Sequence, residues 1–401
     1  MPFNIAEEES VAAIKVIGVG GGGGNAINTM VESGLSGVEF ITANTDLHAL
    51  ENSRADIRVQ LGPGITKGMG AGANPEMGRE SAQESYEDLQ RIIKSADMVF
   101  ITAGMGGGTG TGAAPVIAQI SKEAGALTVA VVTKPFYFEG KHRMRNAEAG
   151  WESLKQYVDT IITIPNDRLL SLMQKNSTFV DMMKKVDMVL LQAVKGIADL
   201  INSPGFMNVD FADLKTVMKE VGPAIMGSGS ASGEKRASEA TRRAIDNQLL
   251  EDVGIDGARG VLVNISASRE TLTMDEYMEA STLVHDKVHE DANVILGTHF
   301  DESLGDELRV TVIATGISSM EEPETISPVE SRVRKSQAAP LRPAGQGPKE
   351  VEPESISDSK PVSMAKPNSA PDGLSRLPRP IFDDHEYNDY DEPAYLRKKA
   401  N

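Results

Sequence analysis

The sequence predicts an α/β protein. It reads as a doubly wound, mostly parallel sheet, then a long central helix, a second smaller α/β domain and a disordered C-terminal tail. Three observations carry this prediction. Short β-branched runs alternate with helical patterns up to residue 165, one wide apolar helical face covers residues 180–202, and aromatic residues vanish after Ile317 while proline accumulates. Strands alternating with helices argue for βαβ units, whose ligands sit outside the carboxyl ends of the strands.

In chain order, the strand-like runs are Ile14–Val19, Val38–Thr42, Met98–Thr102, Leu127–Thr133 and Thr160–Ile164. Helical spacing lies between them at Asn25–Glu32, Glu84–Lys94 and Ala113–Glu123. The pattern over Val180–Asn202 places Val186, Val189, Leu190, Ala193, Val194, Ile197, Leu200 and Ile201 on one face, which suits a helix buried between layers. Beyond Gly222, strands at Gly260–Ile265, Asn293–Thr298 and Leu308–Ala314 alternate with helices at Ala237–Leu250 and Met274–Asp291. Residues 318–380 hold eleven of the twenty prolines and no aromatic residue, a composition that cannot offset chain entropy by burial. Aromatics return at Phe382, Tyr387, Tyr390 and Tyr395, which suggests a short docking peptide behind a flexible tether. The expected divisions are therefore 1–12, 13–178, 179–203, 204–221, 222–317, 318–380 and 381–401, the first being a flexible N-terminus.

Composition narrows the function. No cysteine is present, which removes disulfides, cysteine nucleophiles and thiolate metal sites and suits the cytosol. The net charge of −18 comes without a basic cluster, so nucleic acid is not expected as a partner. No apolar run is long enough to span a bilayer, and Met1–Ser10 has no basic region of the signal-peptide kind.

Two glycine segments each follow a strand and precede a helix. The first, Gly18–Asn25, contains G-x-G-x-x-G at Gly18, Gly20 and Gly23, alone a weak dinucleotide signal. An acidic residue at the tip of the second strand would strengthen it, but there the chain reads Thr42-Ala43-Asn44-Thr45-Asp46, with Asp46 late. The second, Ala103–Gly112, includes Gly106-Gly107-Gly108-Thr109-Gly110-Thr111-Gly112 and no G-K-[ST]. Glycines let backbone N–H groups at a helix N-terminus approach phosphate oxygens. Two such segments at one sheet edge suit a nucleoside triphosphate better than a pyrophosphate.

The run G-G-G-T-G-T-G resembles the signature of the tubulin/FtsZ superfamily of GTPases. The early glycine segment, Gly70-Ala71-Gly72-Ala73-Asn74-Pro75, Asn208-Val209-Asp210-Phe211-Ala212-Asp213 and the terminal Asp391-Glu392-Pro393-Ala394-Tyr395-Leu396-Arg397 extend the resemblance to that superfamily's bacterial cell-division branch. It implies a GTP-binding domain at 13–178, head-to-tail protofilaments of the division ring, and hydrolysis completed at the subunit junction. It places Gly20, Gly21, Gly22, Gly23, Gly24, Asn25 and Asn44 at the nucleotide, and Gly107, Gly108, Thr109 and Gly110 at the phosphates. Glu139 and Arg143 match ribose and phosphate contacts, and Asn166 and Asp187 match residues reading the sugar and guanine. Many members stack a Phe on the base four residues before that Asp; here Met183 stands in its place.

The same resemblance assigns Asp210 and Asp213, with Asn208, to catalysis in the next subunit's site. By spacing alone, Asp210 and Asp213 also fit an N-cap and the third helical position. Glu139 and Arg143 likewise fit an i,i+4 pair, and Asn166 an ordinary cap. Mg²⁺ is expected on the phosphates and water, without a dedicated protein cage. Implied partners are further copies of the chain and, through Ile381–Arg397, tethering division proteins of the FtsA and ZipA kinds. That implies a cytoplasmic location beneath the inner membrane without direct insertion. Two other classes stay open on residues alone. A Rossmann oxidoreductase suits only the first glycine segment, and a non-hydrolysing nucleotide-bound scaffold would share every loop.

Overall fold

The computed structural model describes residues 12–171, 176–202, 210–219, 223–247, 249, 255 and 257–317. The expectations for Asn208, the N-terminal segment up to residue 11, the 318–380 linker and the 381–401 peptide lie outside these residues.

The first half runs β1 (Ile14–Val19), α1 (Gly20–Glu32), β2 (Glu39–Asn44), α2 (Leu47–Glu51), β3 (Ile57–Gln60), α3 (Pro63–Thr66), α4 (Pro75–Glu84), α5 (Tyr86–Ile93) and β4 (Met98–Gly104). It continues with α6 (Thr109–Glu123), β5 (Leu127–Lys134), α7 (Lys141–Lys155), β6 (Thr160–Pro165) and α8 (Asn166–Ser171). Next come α9 (Phe179–Asn202) and α10 (Phe211–Met218). The chain then adds β7 (Pro223–Ser232), α11 (Arg236–Ile245), β8 (Gly260–Ala267), α12 (Met274–His285), β9 (Asn293–Phe300) and β10 (Glu307–Thr315).

The strands are ordered β3-β2-β1-β4-β5-β6-β7-β10-β8-β9. The first six are parallel neighbours, and only β10 runs antiparallel to both of its partners, β7 and β8. The two halves of the sheet meet at two residue pairs, Ile161 with Pro223 and Ile162 with Ala224. Proline lacks an N–H for the ladder and so sits at the first position of its strand.

The parallel strands are buried on both faces, as their unbroken apolar runs require. One face packs under Leu89, Ile93, Ile117 and Leu154 from α5, α6 and α7. The other face packs under Ile27 and Met30 of α1 and the apolar stripe of α9. That stripe also meets Leu262 and Ile313 of β8 and β10, so α9 is shared by both halves of the sheet. α11 and α12 cover the far side of the second half.

The structure departs from the sequence reading in several places, among them the helices expected at Ala237–Leu250 and Met274–Asp291, which end at Ile245 and His285. α1 begins at Gly20, five residues before the expected start, although glycine is a poor helix former. Packing explains this: a Cβ on Gly18 or Gly23 would collide with the Gly23 or Thr102 carbonyl, so only glycine lets α1 lie so close to β1 and β4. The helix expected at 84–94 is α5, and an unexpected helix, α4, precedes it and meets it at Ser85. The four-residue β3 was not anticipated, being short and at the sheet edge. Nor was β7, whose Gly and Ser content reads as a loop; a side chain at Gly229 would strike α11, which lies directly on that strand.

Candidate functional site

A cavity of about 380 Å³ opens at the carboxyl ends of the parallel strands, the edge at which doubly wound sheets bind ligands. Gly22 and Asn25 of α1, Gly104 at the end of β4, and Thr133 at the end of β5 line one side. Glu139, Arg143 and Asn166 line another. The N-terminal end of α9 supplies Phe179, Met183 and Asp187, at the i, i+4, i+8 spacing that puts them on one helical face.

Beside this cavity two helix N-termini converge. The caps of α1 and α6, Val19 and Gly108, make no side-chain hydrogen bond, and neither first turn carries an acidic residue. The first-turn N–H groups of both helices are thus offered to an anion. The two helix starts touch through backbone, since a Cβ on Gly20 would lie 2.8 Å from Gly110 N, and α1 also lies on the end of β4, where a Cβ on Gly22 would lie 3.3 Å from the Gly104 Cα. Gly21 has nothing within 4 Å on that side, and at Gly107 the nearest atom is a nitrogen of the Arg143 guanidinium, 4.0 Å away. Most of the glycines are therefore set by packing, while Gly21 and Gly107 border open space.

The polar side chains are held from behind. Glu139 Oε1 accepts from the Phe136 N–H at 2.8 Å, and its other oxygen pairs with Arg143 at 2.6 Å. The i,i+4 pair is real, and it also faces the cavity. Asn166 is buried at the start of α8, and its Oδ1 has no partner among the described residues, an orphaned acceptor that a ligand hydroxyl could satisfy. Burial pushes the Asp187 carboxyl up to about 6. Met183 is partly buried and takes a place against the core.

Of the residues expected at the site, the cavity brings together Gly22, Asn25, Glu139, Arg143, Asn166, Met183 and Asp187. Gly20, Gly21, Gly23 and Gly24 continue the α1 turn, and Gly107, Gly108, Thr109 and Gly110 form the adjoining entry to α6. Asn44 is buried behind them, its Oδ1 accepting from the Asp46 N–H at 3.2 Å. Asp46 caps α2 by accepting from the His48 N–H, so it is engaged in structure. Phe179 and Phe138, both at least half exposed, were not singled out in the sequence. The signal for Phe179 was its position eight residues before Asp187.

Asp210 and Asp213 are elsewhere. Asp210 caps α10, its Oδ1 accepting from the Ala212 N–H at 3.1 Å, and Asp213 stands exposed in the first turn. The Met218 carbonyl of α10 accepts from the hydroxyl of Thr160, the first residue of β6. α10 therefore lies at the amino edge of the sheet, opposite the cavity. The 24 residues of α9 span about 36 Å between the two edges. No group of three His, Asp or Glu side chains among the described residues could hold a metal ion.

Residues 13–174 match the family described as Tubulin/FtsZ family, GTPase domain, and residues 222–318 the FtsZ family, C-terminal domain. The cell division protein FtsZ of Pseudomonas aeruginosa is 49% identical over 399 residues, covering 99% of this chain and 98% of that protein. The FtsZ of Coxiella burnetii is 56% identical over 308 residues, 77% of this chain and 80% of its own length. Among solved structures, an empty FtsZ dimer from M. jannaschii superimposes with a TM-score of 0.74 at 45% identity, over 78% of this chain and 90% of that one. The chain belongs to the tubulin/FtsZ family of GTPases, in its FtsZ cell-division branch.

Proposed function

We propose that this chain binds GTP in the cavity at the carboxyl edge, assembles head-to-tail, and hydrolyses GTP only where a neighbouring copy completes the site. One observation carries this reading: the carboxylates Asp210 and Asp213 stand at the opposite edge of the sheet from the cavity. They cannot serve the cavity of their own chain, but stacking one copy on the next would bring the two edges together.

In this reading the N–H groups of α1 and α6 hold the phosphates, with Gly107, Gly108, Thr109 and Gly110 closest and Arg143 adding positive charge. Asn166 and Glu139 meet the sugar, and Asp187 accepts from the guanine N1–H and amino group, a donor pair adenine lacks. Asp210 and Asp213 of the neighbour, with Asn208, orient and polarise the attacking water. Mg²⁺ would be held by phosphate oxygens and water, since no described carboxylate cluster fits it; bound there, it neutralises charge on the transferred phosphoryl group. We take 13–178 as the GTP-binding domain, 179–203 as the central helix, 204–221 as the catalytic loop and helix, and 222–317 as the C-terminal domain. The 318–380 segment would tether the 381–401 peptide. Ile381–Arg397 would dock on FtsA-like and ZipA-like proteins and place filaments in the cytoplasm, beneath the membrane at the division site.

The test is complementation between two dead variants. Asp213→Ala should fold and bind GTP but release no phosphate, and Thr109→Ala should lose activity through weakened binding. Mixed together they should regain part of the turnover, at junctions pairing an intact cavity with intact carboxylates. Full turnover by Asp213→Ala alone would sink the shared-site reading.

A further inference from the structure

Thr45, in the turn after β2, is completely buried. Its hydroxyl lies 2.6 Å from that of Thr109, the first residue of α6. Its carbonyl accepts from the Thr66 hydroxyl at 3.2 Å and from the Gly70 N–H at 3.1 Å. Thr45 thus joins the end of β2, the 62–74 segment and the entry to α6. The 62–74 segment also presses on that entry, since a Cβ on Gly108 would lie 2.9 Å from Asn74 N.

Burial decides the direction of the hydroxyl pair. Thr109 is the only hydroxyl partner of Thr45 among the described residues. A buried hydroxyl that fails to donate leaves its hydrogen unsatisfied, at a cost comparable to a lost hydrogen bond. Thr45 therefore donates to the Thr109 Oγ1. Thr109 is partly exposed, at a helix N-terminus without a side-chain cap, so its own hydrogen is left for a ligand or solvent. A hydroxyl that accepts one hydrogen bond becomes a better donor in the next.

We propose that Thr45 is a positioning residue for the nucleotide: its buried hydroxyl donates to Thr109 and thereby presents the Thr109 hydroxyl to a phosphate oxygen as an aimed, polarised donor. This rests on the assignment of Gly107, Gly108, Thr109 and Gly110 to the phosphates made under Proposed function. Thr109 touches the ligand; Thr45 acts only through it.

The experiment is equilibrium binding of GTP to the full chain and to Thr45→Val, Thr45→Ser, Thr109→Val and the Thr45→Val/Thr109→Val double variant. Valine keeps the shape of threonine and removes the hydroxyl. Thr45→Val should bind GTP about three- to tenfold more weakly, the worth of one hydrogen bond. Thr45→Ser should restore binding, and the double variant should be no weaker than Thr109→Val. Wild-type affinity in Thr45→Val, or a Thr45→Val loss that adds in full to that of Thr109→Val, would overturn the inference and leave the assigned function standing. No GTP binding by the unsubstituted chain would overturn both together. If Thr45→Val does not fold, Thr45→Ala against Thr45→Ser decides: loss in the first alone supports the relay, and equal loss in both refutes it.

Discussion

At Asp187, proposed above to read guanine, burial works against the charge state that such a role requires. The carboxyl is raised to about 6, while a carboxylate accepting from guanine N–H groups is favoured when ionised. Nucleotide binding should therefore lower its pKa and release a proton near pH 6. GTP affinity should be flat above pH 7 and fall as the pH drops through 6, and Asp187→Asn should flatten the profile. Calorimetry in buffers of different ionisation heat measures the released proton directly. The same shift has the opposite sign for the ligand-free fold. A folded value above the unfolded one means that stability is full below pH 4 and is lost as the pH rises toward 6. The loss is at most about 3 kcal/mol, reduced by the partial exposure of the side chain. Asp187→Asn should accordingly raise the Tm of the nucleotide-free protein at pH 7 while weakening GTP binding.

At the scale of elements, the glycines at the starts of α1 and α6 divide into two groups that a sequence cannot distinguish. Gly112 lies against α4, and a methyl group there would fall inside the Pro75 carbonyl. Gly112→Ala should cost on the order of 3 kcal/mol through overpacking and lower the Tm by several degrees in calorimetry. Gly21 faces open space beside the cavity. Gly21→Ala should leave the Tm unchanged yet weaken GTP binding several-fold, because in the proposed reading the added methyl takes volume that the phosphates would fill. α9 has a role of its own: it begins at the cavity with Phe179 and ends at Asn202, whose side chain donates to the Gly37 carbonyl just before β2. One rigid element thus spans the cavity edge and the edge that carries α10.

For the whole molecule, if a neighbouring copy completes the site as proposed, the separation of cavity and carboxylates makes activity a property of assembly. Phosphate release should show a threshold in protein concentration, near zero below it and rising linearly above it, with pelleting in GTP following the same threshold. Release strictly proportional to concentration from the most dilute samples would mean that each chain is a complete enzyme. The described residues include no helix long and apolar enough to cross a membrane; the proposed membrane association runs through the 381–397 peptide. Deleting residues 381–401 should abolish capture by tethering partners in a pull-down without moving the threshold for GTP-dependent pelleting.

The period of apolar residues was enough to locate eight of the ten strands and the central helix, because each is long or fully buried and its pattern is strong. The short edge strand β3 and the Gly/Ser-rich β7 were illegible, since only contact with β2 or with α11 makes them strands. At the site, the composition of Gly106–Gly112 by itself suggests a phosphate cradle. Asp187 and Asn166 had no local signal of function; what marks them is a raised pKa and an orphaned acceptor, both products of burial. The sequence by itself determined the layered α/β architecture and the position of the glycine segments between strand and helix, because periodicity and backbone freedom are local properties. Only the tertiary structure decided that the cavity and the Asp210–Asp213 carboxylates stand at opposite edges of one sheet, because that distance is set by how α9 packs across both halves and by nothing local in the chain.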